Sequence, residues 1–122
     1  MEVNFGRIVI YAKNLEKMRV FYEKFFGYKS YQLVEDRIVE LIPPGTGVVI
    51  MLHPVAKGVK TGQVTVKLGF DVKDVEQFKN QCLKKGLKFG AVHKADGYFF
   101  SNAKDPDKNS IMITSRKFRI VI

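Results

Sequence analysis

Apolar residues recur along this chain with two alternating spacings, and the alternation occurs twice. Residues 8–11, Ile-Val-Ile-Tyr after Arg7, are rich in β-branched side chains and predict a strand. From Leu15 the spacing changes: Leu15, Met18, Phe21, Tyr22, Phe25 and Phe26 form one apolar stripe at three- and four-residue intervals, with Glu16, Lys17, Arg19, Glu23 and Lys24 largely opposite. Asn14 is a natural N-cap for this helix, and Gly27 supplies the left-handed residue that ends it. Short β-like stretches follow at 29–33, 37–41 and 47–52, the last two divided by Pro43-Pro44-Gly45.

The second half repeats this order. A strand-like run at 64–70 leads to the cap Asp74, a helix with Val75, Phe78 and Cys82 on one face, and a stop at Gly86. The two caps lie 60 residues apart and the two glycine stops 59. Further strands are predicted at 88–92, 97–102 and 110–114, with Asp105-Pro106-Asp107-Lys108-Asn109 as the last turn. Residues 54–62, with Pro54, Gly58 and Gly62, read as a linker. The organisation is one α+β domain over 1–122: two tandem β-α-β-β-β modules at about 5–53 and 63–115, and a tail at 116–122.

Size and composition narrow the class. A chain of 122 residues that is 46% apolar, with ten Phe, can bury one core. The longest apolar runs fall far short of the ~20 residues a membrane helix needs, and no charged-then-apolar leader opens the sequence. Cys82 is the single cysteine, which excludes an internal disulfide and suits a reducing compartment, so a cytoplasmic protein without membrane contact is expected. On a helix face Cys82 reads as a small apolar residue. The chain has a net charge of +9, and its basic residues are spread along the second half rather than packed into a run. With no nucleic-acid reading motif, this charge describes a basic surface or an anionic small ligand rather than nucleic acid.

The run Ile8-Val9-Ile10-Tyr11-Ala12-Lys13-Asn14-Leu15, then Phe21-Tyr22 and Phe26-Gly27-Tyr28, resembles the opening of the vicinal oxygen chelate superfamily. That group contains glyoxalase I enzymes, bleomycin-resistance proteins and extradiol dioxygenases. The stretch Asp105-Pro106-Asp107-Lys108-Asn109-Ser110-Ile111 resembles its Asp-Pro-Asp-Gly-Asn turn before the last strand. The resemblance implies two modules whose mixed sheet curls around a cleft, often completed by dimerisation. The tail residues Phe118-Arg119-Ile120-Val121-Ile122 are apolar and β-prone, and they are expected to cover a sheet edge or a homodimer interface.

The same resemblance assigns four metal-ligand positions, usually His or Glu, to the first and last strands of each module. Here they fall on Arg7, Met51, Lys67 and Met112. Arg7 and Lys67 would repel a cation, and two thioethers suit only a soft ion. No divalent metal is therefore expected as a cofactor. The leading expectation is a metal-free cleft for a small anionic or aromatic organic ligand. Arg7 and Lys67 would be its anchors, Met51 and Met112 its floor, and Tyr11, His53, Thr65, Tyr98 and Phe100 further candidates, with Val9 beside them. Bleomycin-type drugs are cationic and match a +9 protein poorly. Two alternatives stay open: a glyoxalase- or dioxygenase-type enzyme with a displaced metal on His53 and Glu40, and a structural or regulatory protein whose cleft is filled. Asp36 and Glu40, four apart, read as a solvated face rather than an acid–base pair.

Overall fold

In the computed structural model, which describes residues 5–63 and 65–120, the chain divides into two compact units, Met1–Thr61 and Gly62–Ile122. The first contains β1 (Arg7–Ala12), α1 (Leu15–Phe26), β2 (Lys29–Tyr31), β3 (Val39–Ile42) and β4 (Val49–Pro54). The second contains β5 (Lys67–Asp71), α2 (Val75–Lys84), β6 (His93–Lys94), β7 (Phe99–Lys104) and β8 (Ser110–Thr114), followed by a 3₁₀ turn at Arg116–Phe118. Each unit is a β-α-β-β-β module whose strands form a four-stranded mixed sheet, ordered β1-β4-β3-β2 in one and β5-β8-β7-β6 in the other. In each, the first and last strands pair in parallel and the rest antiparallel.

The alternation along the strands explains the packing. In the first module Val39, Leu41, Ile50 and Leu52 are buried, and α1, which packs on β3 and β4, buries Met18, Phe21 and Tyr22. Each such side chain contributes roughly 1.5–3 kcal/mol by leaving water. The second module buries Ile111 and Ile113 of β8, Val75 and Cys82 of α2, and Phe89. The residues between these on the strands point to the opposite face, which no helix of its own module covers in this alternation.

Both helix stops behave as expected. Gly27 is left-handed at φ 71°, with its N–H on the Glu23 carbonyl and the Tyr28 N–H on the Tyr22 carbonyl. Past α2, Gly86 sits at φ 99° and the Leu87 N–H reaches the Cys82 carbonyl at 2.9 Å. The caps differ. The Asp74 carboxylate accepts from the Gln77 N–H at 3.0 Å, whereas the Asn14 side chain makes no capping bond and only its carbonyl receives the Met18 N–H.

Some strand limits move. Residues 88–92 are not a strand: Phe89 is buried to the core, and Gly90 is bonded out of register, its N–H to the Asn102 carbonyl and its carbonyl from the Ser101 hydroxyl. The strand begins instead at His93. The expected strand at 64–70 starts at Lys67, so Thr65 stands before it, and Val64 lies outside the described residues. β2 ends at Tyr31, and the predicted strand at 37–41 starts only at Val39, because the Asp36 carboxylate turns the chain by accepting the Ile38 N–H. Among the described residues no helix is long and apolar enough to cross a membrane.

Candidate functional site

The sheet faces left open by the helices carry the candidate residues, and strand register decides which of them meet. In the first module the parallel pairing sets Arg7 beside Val49, Val9 beside Met51 and Tyr11 beside His53, so these six share one face. The antiparallel pairing of β3 with β4 places Glu40 opposite Met51 on that same face. In the second module Lys67 pairs with Ser110 and Gly69 with Met112, while Asn102 stands opposite Met112 and Phe100 opposite Thr114.

The two modules thus place equivalent residues at equivalent register positions. A basic residue opens the first strand (Arg7, Lys67), a methionine lies on the last (Met51, Met112), and a polar residue faces that methionine from the third (Glu40, Asn102). In both, the base spans the last strand to reach the polar residue. Arg7 Nη1 makes an ion pair with Glu40 Oε1, and Lys67 Nζ donates to Asn102 Oδ1 at 2.9 Å. The chemistry of the two pairs differs. In the first module Glu40 cancels the charge of Arg7; in the second, among the described residues, the Lys67 ammonium meets a neutral amide and no carboxylate.

Aromatic rings extend both faces. Tyr11 and His53 lie with ring centroids 5.0 Å apart, and His53 Nδ1 is 2.8 Å from the Pro54 carbonyl. A carbonyl only accepts, so Nδ1 is the donor in this contact. In the second module His93 lies 5.1 Å from Phe100 and Tyr98 lies 6.3 Å from it, ring centre to ring centre. Tyr98 itself precedes β7, and its hydroxyl accepts from Arg116 Nη1 at 3.0 Å, a partner that sequence reasoning did not supply. The missed signal was spacing: Arg116 follows β8 by two residues, at the end where β7 begins.

The donor set can be tested against the divalent ion that the resemblance implies. A guanidinium and an ammonium offer no lone pair, and methionine sulfur is soft, so Arg7, Met51, Lys67 and Met112 do not fit a hard or borderline dication. His53 and Glu40 do share a face, but the Glu40 carboxylate is turned to Arg7. Among the described residues no group of three His, Cys, Asp or Glu converges. Asp36 and Glu40 do not pair; Asp36 serves its own turn. Cys82 is 3% exposed and burial pushes its thiol up, against a smaller downward pull from Lys85, so it is a packed thiol rather than a nucleophile.

The chain matches the family model described as Glyoxalase/Bleomycin resistance protein/Dioxygenase superfamily over residues 4–113. Among solved structures it is similar to TnmS3, an antibiotic binding protein from Streptomyces sp. CB03234, with TM-score 0.75 and 17% identity over 92% of this chain and 94% of that one. It is similar also to a lactoylglutathione lyase from Agrobacterium tumefaciens, with TM-score 0.73 and 17% identity over 96% of each chain. A glyoxalase/bleomycin resistance protein from the same Streptomyces strain gives TM-score 0.70 and 18% identity, covering 90% of this chain and 98% of its own. At such identities the likeness is one of fold. No curated protein matches the sequence.

Proposed function

The chain belongs to the glyoxalase/bleomycin resistance protein/dioxygenase superfamily, and on that premise we propose that it binds a small anionic, aromatic organic molecule without a metal ion. The observation that carries this reading is the repeated triplet on the open faces: Arg7, Met51 and Glu40 in one module, Lys67, Met112 and Asn102 in the other. Where the family's metal ligands would stand, one module keeps an ion pair and the other a cation bonded to a neutral amide. Lys67 is therefore the anion anchor. Asn102 and Ser110 beside it offer further hydrogen bonds, and Met112 with Phe100 and His93 gives an apolar, polarisable surface for a ring. That an antibiotic binding protein shares the fold supports the reading.

In mechanism this is recognition rather than turnover. A carboxylate approaching Lys67 forms an ion pair with an ammonium that otherwise donates to the neutral Asn102 amide oxygen. Ring contact with thioether and aromatic groups adds apolar burial without a further charge. On Arg7 the same ligand must compete with Glu40, so that position contributes less.

The test is calorimetric titration with aromatic carboxylates and their neutral amides. The wild type is expected to prefer the carboxylate, and Lys67→Met to weaken it roughly ten- to hundredfold while leaving the amide alone. Arg7→Met should cost markedly less. Equal affinity for acid and amide, or equal loss in the two variants, would sink the proposal.

A further inference from the structure

Beyond the open face described above, four cations and two rings gather where the second module's 3₁₀ turn meets the start of β7. The turn at Arg116–Phe118 is fastened to β7 by reciprocal bonds: the Ser115 N–H to the Phe99 carbonyl at 3.0 Å, and the Phe99 N–H to Ser115 Oγ at 3.0 Å. The Phe118 and Arg119 N–H groups close the turn on the Ser115 and Arg116 carbonyls. Residues three apart in such a turn stack on the same side, which brings Arg116 and Arg119 to one ring. Their guanidinium carbons lie 5.2 and 5.9 Å from the centre of Tyr98, and Arg116 also donates to the Tyr98 hydroxyl. Lys73 and Lys117 place their amines 5.7 and 5.9 Å from the centre of Phe118.

Ring contact alone does not account for this grouping. An exposed cation on an aromatic face yields about 0.5–1 kcal/mol, and one arginine would satisfy Tyr98. A second adds positive charge at the same spot. Among the described residues neither arginine lies within ion-pair distance of a carboxylate. The module holds twelve Lys and Arg against six Asp and Glu, a net +6, and two of those acids, Asp105 and Asp107, are buried at 4% and 2% exposure. The Tyr98 hydroxyl, accepting from Arg116, still has its own hydrogen to give. Two planar guanidinium forks and a phenol hydroxyl anchored to one turn are the donor set that tetrahedral oxyanions select.

We propose that Arg116, Tyr98 and Arg119 form a binding site for a phosphate group, held as inorganic phosphate or as the phosphate of a small monoester. Lys73 and Lys117 flank it, with the Phe118 face beside them for an organic substituent. The site is independent of the anion anchor at Lys67.

The experiment is calorimetric titration of the full chain with inorganic phosphate and with phenyl phosphate, in sodium chloride of matched ionic strength. Saturable binding of phosphate is expected. Tighter phenyl phosphate would mark the monoester as the source, and equal affinities the free ion. Arg116→Gln with Arg119→Gln should weaken both probes roughly ten- to hundredfold, whereas Lys84→Gln, which removes an exposed charge on α2 outside the cluster, should leave them unchanged. Arg119→Lys, which keeps charge and length, should lose less than Arg119→Gln because only the fork is removed. Heat that merely tracks ionic strength, or equal binding by the glutamine variants, would overturn the site. So would tight binding of a thymidine oligonucleotide with neither phosphate probe bound, since that describes a nucleic-acid surface instead.

Discussion

Lys108 is the residue that fits its place least well. It sits at φ 69° in the turn before β8, where a side chain crowds its own backbone and glycine would not. The turn holds because Asp105 is saturated: its carboxylate accepts the N–H groups of Asp107 and Asn109, at 2.9 Å each, and the Asn109 amide as well. Lys108→Gly should therefore raise stability by about 0.5–1 kcal/mol, read as a higher urea midpoint. Gly62 is the converse. At φ +75° it lies where an added Cβ would meet the Lys108 carbonyl oxygen and Cβ at 2.8 Å, so Gly62→Ala should cost about 2 kcal/mol or more. An unchanged midpoint in either variant would contradict this geometry. Tyr28 makes a pH prediction. Burial pushes its phenol up, so the folded chain holds that proton more tightly than the unfolded one. Its contribution is complete below the ordinary tyrosine value of 10.0 and declines as pH rises past it. Tyr28→Phe should show a shallower alkaline loss of stability than the wild type.

At the level of elements, the periodicity of α1 and the β-branched run of β1 were legible because burial and spacing agree there: Met18, Phe21 and Tyr22 are all in the core. The stretch at 88–92 was not legible. Lys88 to Val92 alternates as a strand does, but Gly90 is held by a hydroxyl and an irregular backbone bond, and both partners come from β7, far along the chain. Capping was half legible, since Asp74 closes its bond and Asn14 does not. For the candidate residues, sequence position named Arg7, Met51, Lys67 and Met112 from the offsets of the two caps and the family resemblance, and strand register puts each pair on one face of its own sheet. Sequence position could not say that Glu40 and Asn102 reach the two bases, because long side chains crossing a strand leave no trace in sequence spacing. That contact is what divides the modules into a neutral face and a cationic one. It yields the unequal effects expected of Lys67→Met and Arg7→Met on carboxylate binding.

For the whole molecule, the ordered repeat was visible in two helix caps and two glycine stops, and the superfamily follows from the chain over residues 4–113. Apolar side chains at the surface point further. Phe5, Leu33, Val34 and Ile120 are each more than half exposed, an arrangement that a second copy of the chain would relieve. The homodimer expected from the sequence predicts a sedimenting species of twice the 14.0 kDa chain mass, and a species of 14.0 kDa at all concentrations would contradict it. The proposed function has this scaffold recognise a ligand with side-chain cations at the positions where the family resemblance implies a metal ion. Elemental analysis of protein purified without chelators tests it most directly, with melting curves repeated in Zn²⁺, Ni²⁺, Mn²⁺ and Fe²⁺. No stoichiometric metal and no metal-specific rise in melting temperature are expected. One equivalent of a divalent ion per chain, with a melting temperature that rises for that ion alone, would contradict the proposed function.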